Sequence, residues 1–444
     1  MISSFFIINP KKRQVNRNLD YLKGYHLELF IFDREYKLIK TKQGGRPMIV
    51  IRNCRLVNAL TEGYDGSTTD VYVKGNKIAQ IQAAGTPYEA DEPLTVIDGT
   101  GKTLIPGLIE MHAHLYGFIF NYYELQCMPE GKIIFGVVDF ANEYLKQGFT
   151  MIRDCGSSYN AVATVRNAIE EGIIKGPRLV PCGLIITPTE TGNDCFSDLY
   201  LEADGPWEMR KAVRTELQKG NDFIKLMVSG AFMNEGAEPG IQVAEFDEIE
   251  AAVAAARRKN TYVCAHCHGA GSIKDAIRAG VRTIEHGTFL DDEGLQMLKE
   301  SKDCYLVPTG AVGLYCLDTS NPDITQELYE KSKAAAQIEI DNINRAYRGG
   351  LKLGFGSDID LEALRKHPGY EFIARKEYYN FEDLDILIQA TKNSAEIMGY
   401  GDELGTVAVG KLADLVLVDG NPDEDIYVMT KPPVHVLKDG EILV

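Results

Sequence analysis

Hydrophobic and polar positions follow two rhythms along this chain. Near both ends the period is two, as in a half-buried strand. Residues 49–53 read Ile-Val-Ile-Arg-Asn, and 70–78 form an alternating run that turns at Gly75-Asn76, a hairpin signal. Toward the other end, the runs 413–420 and 434–441 carry Asp-Gly turns at Asp419-Gly420 and Asp439-Gly440. Strand patterns at both ends predict one small composite β-sandwich, made from 48–104 and 403–444.

The middle of the chain behaves differently. Short apolar runs at 104–112, 149–154, 178–183, 223–229, 262–266, 283–286, 305–309 and 351–358 alternate with amphipathic helical stretches such as 207–219, 245–259 and 324–347. Eight strand–helix units across 105–402 predict an α/β fold, a closed (β/α)8 TIM barrel carrying the small sandwich. A doubly wound open sheet is the competing arrangement. Residues 1–47 fit neither rhythm and stand apart as an N-terminal extension with no assigned role. The clean strand pattern opening at Met48 makes that residue a candidate natural start. The apolar run at 3–8 precedes Lys11, Lys12 and Arg13, the reverse of a secretion signal.

Composition narrows the function classes. With 444 residues and 45% hydrophobic content, the chain can build a large core without disulfides. Its nine cysteines are scattered, and Cys155, Cys182, Cys264, Cys267 and Cys304 sit inside apolar runs. They read as small buried hydrophobes in a reducing, cytoplasmic compartment. No apolar stretch approaches the roughly 20 residues of a membrane span. With 47 basic and 64 acidic side chains, the net charge is −17. Such a surface repels phosphates and anionic lipid, so neither nucleic acid nor membrane is an expected partner.

The chemistry lies at the ends of the barrel-type runs. In a TIM barrel the C-terminal ends of the strands face the active site. Residues 106–114 read Pro-Gly-Leu-Ile-Glu-Met-His-Ala-His. Positions two apart on a strand share a face, so His112 and His114 converge at a spacing one metal ion can bridge. Lys225 stands alone in the apolar run Phe223-Ile224-Lys225-Leu226-Met227-Val228. Burial favours its neutral amine, which can add carbon dioxide to form an anionic carbamate bridging two cations. Its alternative is a buried stem with the ammonium at the barrel mouth. Ala265-His266-Cys267-His268-Gly269 supplies a second His-x-His, with His266 the better ligand and His268 further toward substrate. Thr283-Ile284-Glu285-His286-Gly287 adds His286. Asp358, in Gly354-Phe355-Gly356-Ser357-Asp358-Ile359-Asp360, can ligate metal and accept the proton of an attacking water. A helix N-cap is its alternative, a role that suits Asp360 better. Imidazoles with carboxylates suit zinc or a similar divalent ion, and two ions can share a hydroxide and polarise a carbonyl.

Together these residues resemble the amidohydrolase superfamily, over nearly the whole chain from about Met48. The segment 410–416, Gly-Lys-Leu-Ala-Asp-Leu-Val, is similar to that superfamily's β domain. Within it, 150–156, the Lys225 strand and the two His-containing segments look most like the metal-dependent prolidase/dipeptidase-like branch, imidazolonepropionase-related and including ochratoxinase-like amidohydrolases. The resemblance implies carbon dioxide held as a carbamate on Lys225. It implies His112, His114 and Asp358 on one of two divalent metal ions, most simply zinc, and His266 with His286 on the other. Asp358 would be the acid/base. Dipeptides or N-acyl amino acids would be substrates, their carboxylate anchored by His268, Arg153 or Tyr116. A homo-oligomer is expected. The chain departs from the branch at 187–194, where an expected histidine is missing, and at Val243 and Ala244, where an aromatic residue and a serine are expected. Both departures concern the substrate pocket. The alternative activity is that of a cyclic amidase or deaminase, such as an imidazolone ring hydrolase. Such ring hydrolases usually work with one metal and lack the bridging lysine.

Overall fold

The strand-patterned runs at the two chain ends meet in a single eight-stranded sheet. A computed structural model describes residues 48–444, except 64–65, 88–92 and 120–121. The expected extension 1–47 lies outside the described residues. Strand Met48–Leu56 pairs antiparallel with Thr69–Lys74, which turns through Gly75 (φ +64°) into Lys77–Ala83. The C-terminal strand Leu415–Val418 pairs antiparallel with both Thr103–Pro106 and His435–Lys438. An Arg55–Asp423 fork, with bonds of 2.6 and 2.7 Å, ties the two ends together.

The run expected at 104–112 divides at Gly107. Its first part, Thr103–Pro106, belongs to the end sheet, and its second, β1 (Leu108–Ala113), belongs to the central α/β layer. Glycine is required at the division, because a Cβ at 107 would lie 2.1 Å from Thr150 Oγ1.

The central layer has the parallel pairing and α/β alternation of a TIM-barrel-type fold. Strand β1 pairs with β2 (Phe149–Asp154), and β2 with β3 (Arg178–Pro181). The third run then breaks at Gly183 (φ +78°) and resumes as Ile185–Thr187, which pairs with β4 (Ile224–Met227). Strands β5 (Val263–Cys267), β6 (Thr283–His286) and β7 (Tyr305–Val307) follow in parallel register. The expected eighth strand, 351–358, is not a regular strand. Two glycines weaken it, and it is held by single hydrogen bonds: Gly354 N–H to the Leu306 carbonyl (3.0 Å), Met111 N–H to Phe355 (2.8 Å) and Asp358 N–H to His112 (2.8 Å). These bonds join the segment to β7 on one side and to β1 on the other.

Helices cover the outside. Helix α1 (Phe246–Arg257) starts in a capping box between Glu245 and Glu248. Helix α2 (Gln326–Arg348) is capped by the Thr325 hydroxyl, which accepts from Leu328 N–H. Asp360 caps α3 (Leu361–Lys366) through Ala363 N–H, so the N-cap role falls to Asp360 and leaves Asp358 free. The five cysteines placed in apolar runs are all buried. Among the described residues, no helix is long and apolar enough to cross a membrane.

Candidate functional site

The period of two in each strand decides what reaches the barrel interior. On β1 it brings His112 inward, fully buried, beside His114 at the strand end. On β4 it brings in Lys225, 1% exposed, and β5 and β6 add the buried His266 and His286. Asp358 arrives on the glycine-weakened eighth segment. Two of these residues, His286 (φ +68°) and Asp358 (φ +55°), hold left-handed backbone conformations. Such strain in non-glycine residues clusters at functional sites.

The distances join all six expected ligands. Lys225 Nζ lies 3.1 Å from His112 Nε2. Asp358 Oδ1 lies 3.8 Å from His112 Nε2 and 3.5 Å from His114 Nε2. The rings of His112 and His286 are 4.9 Å apart, and those of His266 and His286 4.6 Å. Two groups each present three ligand atoms within 4.8 Å of one another: His112, His114 and Asp358, and His266, His268 and His286.

Each imidazole is anchored by one nitrogen. His112 Nδ1 faces Glu285 Oε2 at 2.8 Å, His114 Nδ1 the Gly156 carbonyl at 3.1 Å, and His286 Nδ1 the Thr309 hydroxyl at 2.8 Å. His266 uses Nε2, 3.3 Å from the Gly230 carbonyl. The opposite nitrogen of His114, His266 and His286 remains for a ligand, as in metal sites with oriented histidines, and that of His112 faces Lys225 Nζ. Burial first, and the neighbouring Lys225 ammonium as well, lower the proton affinity of these histidines. Neutral imidazoles with the half-buried Asp358 carboxylate fit divalent cations. A further group, His112, Cys155 and Glu285, is a poorer set, because burial holds the Cys155 thiol protonated.

Lys225 corrects one expectation. Burial pulls its ammonium down, but the anionic side chains of Glu285 and Asp358 oppose this, and its pKa lies above the usual lysine value. Desolvation alone does not make this amine neutral.

Arg153 is a second correction. It is fully buried inside the barrel, not at the mouth. Its Nε donates to the Met111 carbonyl (2.5 Å), Nη1 to Thr283 (3.0 Å) and Nη2 to Glu285 (2.7 Å), and the guanidinium lies over Phe223. With these donors committed, it braces the interior and cannot anchor substrate. Glu285, which sequence reasoning left without a role, is the link: Arg153 and His112 overcome its burial and hold it down at about 2. The signal was present as a carboxylate next to His286 in an apolar strand.

Tyr116 and His268 do line the cavity above the ligands. Tyr116 commits its hydroxyl to Asp198. His268 Nδ1 lies 2.9 Å from Thr288 Oγ1, which donates in turn to Glu339 Oε2 at 3.4 Å. A hydroxyl whose proton goes to Glu339 must accept from His268 Nδ1–H, so Nε2 carries a lone pair. Burial and Lys225 also pull His268 down to about 3. The ring is therefore suited to ligating a cation, not to donating to a substrate carboxylate. The rest of the cavity wall is largely apolar and aromatic, including Phe196, Tyr200, Phe232 and Tyr378.

Comparisons with known proteins agree with this chemistry. A family model described as the amidohydrolase family matches residues 103–443. The ochratoxinase of Aspergillus niger is 28% identical over 390 residues, covering 80% of this chain and 79% of that protein. A crystal structure of an amidohydrolase superposes with a TM-score of 0.81 at 31% identity, over 89% of this chain and 99% of the other. A prolidase complexed with N-methylphosphonate-L-proline gives a TM-score of 0.79 at 30% identity, with the same coverage.

Proposed function

The chain belongs to the amidohydrolase family, and from this premise we propose that its histidine-rich barrel mouth is a two-metal centre hydrolysing the amide bond of dipeptides or N-acyl amino acids. As a family member it is a hydrolase of carbon–nitrogen bonds. The observation that carries the finer reading is the pair of three-ligand groups meeting around Lys225. In this reading the scaffold is a closed (β/α)8 barrel with a composite β-sandwich, and copies of the chain associate.

His112, His114 and Asp358 would hold one divalent ion, and His266 with His286 the other, with His268 also in reach. Zinc suits this donor set. Lys225, as a carbamate, would present two oxygens between the ions; its closeness to His112 supports that placement. When bound, the ions supply Lewis-acid polarisation of the scissile carbonyl and an acidified water. The remaining chemistry belongs to the chain. Asp358, whose pKa burial raises, accepts the proton of the attacking water. It then delivers that proton to the leaving nitrogen as the C–N bond breaks. Glu285 and Thr309 keep His112 and His286 in the ligating tautomer, and the aromatic wall excludes water around the amide.

The test is hydrolysis of a dipeptide and N-acyl amino acid panel by the zinc-loaded full chain, with metal content measured in parallel. Near two metals per chain and cleavage of a subset are expected. One metal per chain, with ring opening of cyclic amides or deamination instead, would replace this reading with the cyclic amidase or deaminase alternative.

A further inference from the structure

The cavity contains a carboxylate that neither metal binding nor capping uses. Glu339 projects from α2 into the wall of the pocket and is half-buried. Its Oε1 accepts from the fully buried Tyr379 hydroxyl, and its Oε2 from Thr288 Oγ1 at 3.4 Å. Among the described residues, no lysine, arginine or histidine makes an ion pair with it, although many carboxylates of this chain have such a partner. A half-buried carboxylate without a cation is costly to keep ionised, and burial accordingly raises its pKa to about 7.

The surroundings fit a ligand-supplied cation. Lys225 is the sole lysine or arginine among the described residues that line this cavity, and it is committed beside His112. Arg153 is sealed inside the barrel. Beside Glu339 the backbone comes close without a side chain: a Cβ at Gly313 would sit 3.7 Å from Oε1, so the flank of the carboxylate stays open. Tyr315 and Tyr378 line the same cavity, and aromatic faces favour a cation near them. The net charge of −17 further favours approach of positively charged molecules.

We infer that Glu339 is a specificity-determining residue that selects substrates carrying a positively charged side-chain group, an ammonium or guanidinium that enters the pocket and pairs with its carboxylate. This rests on the amide-hydrolase reading above and names the substrate class within it. The cation can belong to the acyl half or to the leaving amino acid, and the two sources are separable.

The experiment uses the zinc-loaded full chain and its Glu339→Gln variant with two charge-matched pairs: glycyl-L-arginine against glycyl-L-citrulline, and L-arginyl-glycine against L-citrullyl-glycine. Calorimetric Kd and kcat/KM are measured for each. Citrulline keeps the size and the hydrogen-bonding urea but loses the charge. In the wild-type chain one arginine member is expected to exceed its citrulline partner about tenfold or more, the scale of one charge-assisted pair. The pair that responds tells which half carries the cation. In Glu339→Gln the arginine-to-citrulline ratio falls to near one. That ratio does not depend on how much of the variant folds, and the wild-type preference needs no variant at all. Equal binding and turnover of both members in the wild type would overturn the inference. So would a preference that survives the substitution, or a uniform loss that preserves the ratio, which would reduce Glu339 to positioning His268 through Thr288. Arginine-selective binding without cleavage of any peptide would support the cation site while refuting amide hydrolysis. Cleavage without charge preference would do the reverse.

Discussion

Single residues at the barrel mouth carry separable roles because each is held by different partners. Asp358 holds a left-handed backbone (φ +55°) that asparagine tolerates well. Asp358→Asn should therefore fold normally while losing the anionic oxygen proposed to take the water's proton. We expect its kcat to fall by at least about 100-fold, the lower range for a lost general acid/base, with melting temperature little changed. Lys225→Ala should lose activity as strongly, and carbon-13 bicarbonate should label a carbamate carbon in the wild type that is missing from the variant. Near-normal turnover by Lys225→Ala would remove the carbamate from the mechanism. Glu285 belongs to a different class. It holds both Arg153 (2.7 Å) and His112 (2.8 Å) in a fully buried setting, so changing it disturbs fold and metal site together.

At the scale of elements, much of the site was legible because it sits on strands. A His-x-His at the end of an apolar run puts both rings on one face at period two, and β1 and β5 carry His112 and His266, with His114 and His268 just past their ends. Arg153 was misread for a related reason. Its sequence position shows a charge near the end of a strand, but not which partners its side chain meets. Only the bonds its guanidinium makes, to Met111 on β1 and to Thr283 and Glu285 on β6, show that it points inward. Glu339 was invisible because it comes from a long helix, where a glutamate ordinarily faces water. The division at Gly107 and the irregular eighth segment also escaped, since both depend on distances between strands. That segment makes a test of its own. A Cβ at Gly356 would meet His112 Cβ at 2.7 Å and Val307 Cγ1 at 2.9 Å. Gly356→Ala should therefore push the segment carrying Asp358 away from β1, at a cost of about 1–3 kcal/mol, and weaken zinc uptake measured by competition with a chromophoric chelator. Gly131→Ala is the control, in the helix Glu130–Lys146 with no atom within 4 Å of the added methyl. Unaltered zinc affinity in Gly356→Ala would mean that Asp358 is not a ligand.

For the whole molecule, the ligands matter as a ring. They come from β1, β4, β5, β6 and the eighth segment, which are spread around the barrel and joined across the sequence from His112 to Asp358. An ion bound by them ties together strands that are otherwise linked only through neighbours, and the last link in the circle, at Gly354 and Phe355, rests on single hydrogen bonds. Metal should therefore act as a cross-brace for the entire barrel. Without it, several buried neutral histidines share one cavity with the Lys225 ammonium, and burial first, with the neighbouring histidines and Lys225 after it, lowers the proton affinity of His266 and His286. Binding at a hundredfold excess over Kd contributes about 2.7 kcal/mol to the native state, enough to move the melting temperature of a chain this size by a few degrees. Stripping the protein with a chelator should lower its melting temperature and returning zinc should restore it. Stepwise addition should keep raising the transition until two equivalents per chain are bound. A plateau at one equivalent would mean that only one of the two three-ligand groups holds an ion tightly, and Lys225 would then have no second cation to bridge. A melting temperature indifferent to chelation would mean that the hydrogen bonds of the eighth segment close the barrel unaided, and the histidine cluster would no longer be a metal centre.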